Sequence, residues 1–143
     1  MWTYNSKIIE ELPEDCVGFV YLIVNKTNSR MYIGKKLSKF SKTTYKTVTL
    51  KNGTKKKKKI KSKIDSDWMD YYGSSEEVKA LVEEFGADRF KRKILRLCKT
   101  TAEMSYFEMK EQVVNDVLLK PNEYYNAFVG AKIHRNHLKH LIK

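Results

Sequence analysis

The sequence predicts an α+β domain: a small three-stranded sheet flanked by helices, with a basic β-hairpin inserted into it. Three observations predict it. First, the apolar runs Val17–Val24 and Met31–Ile33, rich in Val, Ile, Tyr and Phe, flank the turn-forming stretch Asn25-Lys26-Thr27-Asn28-Ser29, a β-hairpin pattern. Second, Arg89–Leu97 interleaves Phe90, Ile94 and Leu97 with Lys91, Arg92, Lys93 and Arg96. That suits a third strand with one buried face and a basic edge or outer face. Third, two stretches carry apolar residues at helical spacing behind Ser/Thr-x-x-Glu boxes.

A chain of 143 residues has the length of a single domain, residues 1–143, with a core over about 17–126, a basic insertion at about 43–64 and a basic tail at 132–143. Lys and Arg number 29 against 17 acids, a net charge of +12. Such an excess points to a polyanionic partner, because neutralising phosphates and releasing counterions dominates nucleic-acid affinity. Cys16 and Cys98 lack CxxC spacing and read as small apolar residues in a reducing compartment. The polar start, acidic towards Asp15, is no signal peptide, and no apolar run approaches the roughly 20 residues of a membrane span. The expectation is a cytoplasmic protein that does not enter a membrane.

In chain order, Pro13 should stop any short helix in Lys7–Leu12 before the first strand. In the hairpin, alternation puts Phe19, Tyr21 and Ile23 on one face, with Tyr32 and Gly34 on one face of the partner strand. Tyr21 and Tyr32 can then stand together, with Lys35 and Lys36 just beyond. Leu37 and Phe40, three apart among lysines in Lys35–Lys42, are consistent with a short helix.

The insertion follows. Thr47-Val48-Thr49-Leu50 precedes Lys51-Asn52-Gly53-Thr54 and then Lys55, Lys56, Lys57, Lys58 and Lys59. Asn-Gly is a strong hairpin signal, so the stretch reads as a protruding hairpin with a cationic return strand, or else as a disordered basic loop. Either form would track a phosphate backbone without reading sequence. Ser66 or Asp67 could cap a short helix carrying Trp68, Tyr71 and Tyr72 and closed by Gly73. Ser74-x-x-Glu77 predicts a helix to Phe85 with Val78, Leu81, Val82 and Phe85 as its stripe.

Thr100-x-x-Glu103 opens a second helix, expected to run to about Leu118 or Leu119. Glu111 falls on its stripe of Met104, Phe107, Val114 and Leu118, whereas Glu108 shares a more polar face with Gln112 and Asn115. A core-facing carboxylate must be paired, protonated or metal-bound, so helix geometry favours Glu111 over Glu108 as a ligand. Pro121 ends the segment ahead of Tyr124-Tyr125-Asn126. In the tail, expected to be helical with Ile133, Leu138, Leu141 and Ile142, the residues His134, His137 and His140 step by about 300° and cannot close one metal site.

Phe19-Val20-Tyr21 and Tyr32-Ile33-Gly34 resemble the paired signature of the GIY-YIG nuclease superfamily, in its order and near its spacing, although Phe19 stands where Gly is usual and Gly18 lies one place earlier. Tyr71-Tyr72-Gly73-Ser74-Ser75, a helix, and then Phe85-Gly86-Ala87-Asp88-Arg89-Phe90 resemble phage-type members of that superfamily, and Asn126 matches its Asn after the glutamate helix. The resemblance, over about residues 17–126, implies an α/β sandwich around a three-stranded antiparallel sheet. It also implies hydrolysis of duplex DNA with one Mg²⁺ or Mn²⁺ ion, as in small free-standing phage endonucleases, some of them homing enzymes. It casts Tyr21 as the phenol that deprotonates water directly or by relay, its pKa lowered by Lys35 and Lys36. Tyr32 would hold water or phosphate, Glu111 (alternatively Glu108) the metal, and Asn126 would orient them.

The family's usual Arg after Tyr-Ile-Gly is missing, since no Arg lies between Arg30 and Arg89; Lys42 or Lys36 would stand in, without the bidentate fork. Lys35, Lys55–Lys59, Lys61 and Arg135 are the expected phosphate contacts. Nicking, or a double-strand break by two copies on the DNA, would use the same chemistry. The alternatives are a nucleic-acid-binding module of this fold without catalysis and, on charge and aromatics alone, an RNA-binding accessory protein.

Overall fold

A computed structural model of the chain describes residues 1–142. Strand β1 (Trp2–Tyr4) pairs antiparallel with β2 (Lys7–Ile9), so Lys7–Leu12 holds a strand and no short helix for Pro13 to stop. The cause is the turn: Asn5 and Ser6 adopt φ of 50° and 66°, the left-handed pair that closes a two-residue hairpin. Trp2 is fully buried and its Nε1 donates to the Trp68 carbonyl at 2.7 Å. The core therefore begins at Trp2, ahead of the expected start near residue 17, and truncating Trp2 to Ala should cost about 3–5 kcal/mol.

Strands β3 (Gly18–Asn25) and β4 (Met31–Leu37) form the hairpin expected from the apolar runs. The third expected strand, β7 (Phe90–Cys98), pairs antiparallel with β3 and parallel with β1. The sheet is thus mixed and five-stranded, in the order β2-β1-β7-β3-β4, around the three antiparallel strands the sequence predicted. β7 lies inside the sheet, so its basic side is an outer face carrying Lys91 and Lys93 and not an edge; Arg92 turns into the buried face beside Phe90 and Ile94. A bulge explains the uneven spacing of its apolar residues. Val20 pairs with Arg96 and Tyr21 with Ile94, which leaves Leu95 out of register and brings Leu97 to the same side as Ile94.

Each face of the sheet carries one helix. On the Tyr21 face, Trp2, Phe19, Ile23, Trp68 and Ile94 pack with Val78 of α1 (Glu76–Phe85). On the other, Val20, Ile33 and Cys98 pack with Met104 of α2 (Thr101–Val114). The cap of α1 is Ser75, whose hydroxyl accepts from the Val78 N–H at 3.3 Å; the predicted cap Ser74 is bonded elsewhere. Thr100 caps α2 as expected, accepting from Glu103 N–H at 3.0 Å. That helix ends at Val114, short of Leu118, and both Val114 and Leu118 are exposed.

No helix forms over Lys35–Lys42. The chain runs straight from β4 through Ser38 into β5 (Lys39–Thr49), which pairs with β6 (Lys55–Asp65) in a separate two-stranded ribbon. The two apolar residues that suggested a helix, Leu37 and Phe40, end one strand and begin the next. Gly53, at φ 82°, makes the tip turn. Trp68–Asp70 is a single 3-10 turn, with the Ser66 hydroxyl accepting from Trp68 N–H at 3.2 Å. The tail forms 3-10 turns over Arg135–Leu141, kinked at Leu138, rather than a continuous helix; the last tail residue, Lys143, lies outside the described residues. Among the described residues no helix is long and apolar enough to cross a membrane.

Candidate active site

The site is built on the open edge of β4. Beside Met31 the segment after Pro121 completes that edge as a short parallel partner: Met31 N–H donates to the Glu123 carbonyl at 2.8 Å, and Tyr125 N–H to the Met31 carbonyl at 2.7 Å. At Ile33 side chains replace the partner strand. Asn126 Oδ1 accepts from Ile33 N–H at 3.0 Å, while Asn126 Nδ2 and Gln112 Nε2 donate to the Ile33 carbonyl at 2.8 and 2.9 Å. Each such bond contributes about 1 kcal/mol net, and an unmet buried group costs more. Asn126 is therefore a clamp on the middle residue of Tyr32-Ile33-Gly34.

Tyr32 lies diagonally across the hairpin from Tyr21, with ring centroids 6.2 Å apart. Its hydroxyl is 2.7 Å from Ser74 Oγ, and both residues line a cleft of about 560 Å³ together with Glu108, Gln112 and Asn126. Tyr21 stands behind this wall. It is fully buried, its hydroxyl has no hydrogen-bond partner among the described residues, and its ring meets Tyr71 edge-on at 5.8 Å. Gly34 leaves the space that this phenol occupies: a Cβ there would collide with the Tyr21 hydroxyl and sit 2.7 Å from its Cζ. Gly73, at φ 92°, brings the covering loop against both tyrosines, and a Cβ on it would lie 3.3 Å from Tyr32 and 3.5 Å from the Tyr21 hydroxyl.

The expected lowering of the Tyr21 pKa does not occur. Burial, and then the neighbouring phenols of Tyr71 and Tyr32, push it well above the usual value, because desolvation disfavours the phenolate. Tyr32 moves up as well, chiefly through burial, with the Ser74 hydrogen bond opposing. Both are neutral phenols at neutral pH.

Of the two glutamates, Glu108 lines the cleft. Burial raises its pKa, and the charge and backbone N–H of Lys35 pull it back only in part. It makes no salt bridge among the described residues. Glu111 turns aside: the Asn115 amide donates to its Oε2 at 3.4 Å, and its charge helps raise the Tyr124 pKa. The apolar stripe that favoured Glu111 misleads because the helix runs beside an edge strand. Open backbone groups on that edge are met by a polar helix face, so Glu108 and Gln112 turn inward while Val114 is 69% exposed. The pairing of Gln112 with Glu108, four residues apart, was the usable signal.

Of the expected cations, Lys35 and Lys36 are engaged and the others stand exposed. Lys36 Nζ sits 2.6 Å from Asp67 Oδ1 and 4.1 Å above the Tyr71 ring, within reach of the tyrosine face. Lys35 Nζ donates to Ser105 Oγ at 2.6 Å on the α2 side. Lys42 lies out on β5, exposed and paired with Ser62, and does not join the cleft. Lys55–Lys59 and Lys61 are exposed along β6, and Arg135 is exposed on the tail. Three contributors escaped the sequence reading: Ser74, read as a cap; Tyr71, which covers Tyr21; and Arg92. The buried Arg92 guanidinium donates to the Met69 and Tyr71 carbonyls at 2.8 and 3.0 Å, pinning the loop over the tyrosines.

An α+β domain that sets two tyrosines from a hairpin beside a helix glutamate and a clamping Asn has the architecture of the nuclease signature in its sequence, and the chain belongs to the GIY-YIG endonuclease family. The family model that matches residues 2–129 is described as "Putative endonuclease segE, GIY-YIG domain". The chain is 34% identical over 113 residues to a protein of Enterobacteria phage T4 titled "Putative endonuclease segE", covering 79% of this chain and 42% of the relative. It thus spans less than half the length of that relative. No solved structure matches the chain.

Proposed function

We propose that the chain is a divalent-metal-dependent endodeoxyribonuclease that hydrolyses a DNA phosphodiester in the cleft at the β4 edge, in a phage-type, homing-like role. The observation that carries this reading is Glu108, a half-buried carboxylate without a salt bridge among the described residues, lining the same cleft as Tyr32 in a member of an endonuclease family. Among the described residues no three His, Cys, Asp or Glu side chains cluster as metal ligands. A hard ion such as Mg²⁺ suits this donor set, because it takes one carboxylate oxygen and leaves its other positions to water and phosphate. When bound, such an ion supplies charge relief at the phosphate and lowers the pKa of nearby water and phenols.

The chain's own residues do the rest. Glu108 supplies the ligand, as the alternative to Glu111 that the cleft favours. Tyr32 exchanges its Ser74 hydrogen bond for one to the attacking water or a phosphate oxygen. Tyr21, buried behind Tyr32 with no hydrogen-bond partner for its hydroxyl among the described residues, backs the Tyr32 ring rather than meeting water or passing on its proton. Asn126 holds the Ile33 backbone and thereby Tyr32. Lys36, beside the tyrosine face, is the cation placed to stand in for the missing Arg, once released from Asp67.

Supercoiled plasmid incubated with Mg²⁺ should be nicked by the wild-type chain and left intact in EDTA. Glu108→Gln should abolish the nicking, and Tyr32→Phe should slow it. The tethering of Lys36 to Asp67 and of Arg30 to Glu77 at 2.7 Å favours the second reading, a binding module without catalysis. Tight plasmid binding with no nicking by the wild-type chain at any metal concentration would establish that second reading instead.

A further inference from the structure

We propose that duplex DNA is gripped by one face only of the β5–β6 ribbon, the face carrying Lys39, Lys55, Lys57, Lys59, Lys61 and Lys63. This rests on the reading of the chain as a DNA enzyme and adds to it a surface and an orientation. Directly opposed residues of an antiparallel pair share a face. The register Thr43↔Lys61, Tyr45↔Lys59, Thr47↔Lys57 and Thr49↔Lys55 therefore sets a column of lysines beside a column of hydroxyls.

No aliphatic side chain interrupts that face, and β6 is exposed along its whole length. Among the described residues none of these lysines has an ion-pair partner. Tyr45, 67% exposed in the middle of the face, offers a ring and a donor. The opposite face differs in kind: Lys42, Lys46, Lys56 and Lys58 alternate there with Phe40, Val48, Ile60 and Ile64.

Like charges stacked along one face repel, so the lysine column costs the free ribbon stability that a polyanion restores. The dimensions suit duplex DNA. Strands of 11 residues reach about 34–37 Å at about 3.4 Å per residue, close to one turn of B-DNA. A two-stranded ribbon also fits the major groove, where lysines and hydroxyls can meet the phosphates of both walls.

The test removes the same number of charges from each face of the full chain. Lys57→Gln/Lys59→Gln/Lys61→Gln is compared with Lys46→Gln/Lys56→Gln/Lys58→Gln for binding to a short DNA duplex in EDTA across a salt series. The first triple should flatten the slope of log affinity against log salt by about 2.7 and weaken binding at least tenfold near 0.1 M salt, on the order expected for three lost phosphate contacts. The second should stay within about twofold of wild type, because Lys56 and Lys58, although expected from the sequence to contact phosphate, lie with Lys46 on the face turned away from the DNA. Equal losses for both triples, or a larger loss for the second, would overturn the proposal, as would tighter binding to a matched RNA duplex. Because no cleavage is measured, a chain that binds in this way yet never cuts would defeat the proposed activity and leave the ribbon's role standing.

Discussion

Glu103, in the first turn of α2, and Glu108, further along the same helix, are both withdrawn from water, and the protein treats them oppositely. Around Glu103 everything is supplied: the Lys99 N–H donates at 3.1 Å, the Arg96 guanidinium at 3.2 Å, and His140 Nε2 stands 3.3 Å away. Burial opposes its charge, but those partners together outweigh it and hold the carboxyl below its ordinary value. Around Glu108 burial prevails and the carboxyl is held above it. Glu103 is a completed structural joint between β7, α2 and the tail. Glu108 has no salt bridge among the described residues, which suits the metal ligand proposed above.

The widest separation between the two should appear in activity. Glu108→Gln should cut the rate of plasmid cleavage on the order of 10²- to 10³-fold, the scale of losing one group that stabilises the transition state. Glu103→Gln should leave the rate of the folded fraction nearly unchanged. Next comes the neighbouring glycine: Gly34→Ala pushes a methyl into the Tyr21 phenol and should cost about 1–3 kcal/mol in urea unfolding, with a loss of cleavage beyond the loss of fold.

Smaller again is the stability cost of Glu103→Gln, about 1–2 kcal/mol at neutral pH from weakened charged hydrogen bonds. Its pH dependence has a definite sign. Because the folded carboxyl is held low, its contribution is present above the unfolded value near 4.3 and fades as pH falls through the lower folded value. The gap between variant and wild type should therefore close in acid. Smallest is the effect of Glu108→Gln on stability in EDTA: relieved of a costly buried charge, the variant should melt no lower than wild type at neutral pH.

The sequence made the centre of the sheet legible because β3 is an unbroken apolar run, β7 alternates from Phe90 to Ile94 ahead of its bulge, and the turn after β3 carries recognisable residues. The outer strands were obscured by short range: Trp2–Tyr4 and Lys7–Ile9 offer three residues each, joined by an Asn-Ser turn that lacks the glycine of a stronger signal. The site was half legible. Tyr32 and Asn126, singled out by their motifs, both line the cleft. The metal-binding candidate shifted from Glu111 to Glu108 because a hydrophobic stripe identifies the buried face only where a helix packs on apolar side chains. Beside a strand edge the buried face carries Gln112, and no apolar count reveals it. Nor does a sequence show burial of a hydroxyl, which is why Tyr21 was expected to be acidified and is instead held neutral.

The most direct test pairs Glu108→Gln with Glu111→Gln and follows plasmid cleavage as Mg²⁺ is titrated. The account predicts that Glu111→Gln follows the wild-type curve while Glu108→Gln stays flat, with both variants folded and still binding DNA. A flat curve for Glu111→Gln beside a normal one for Glu108→Gln would contradict it.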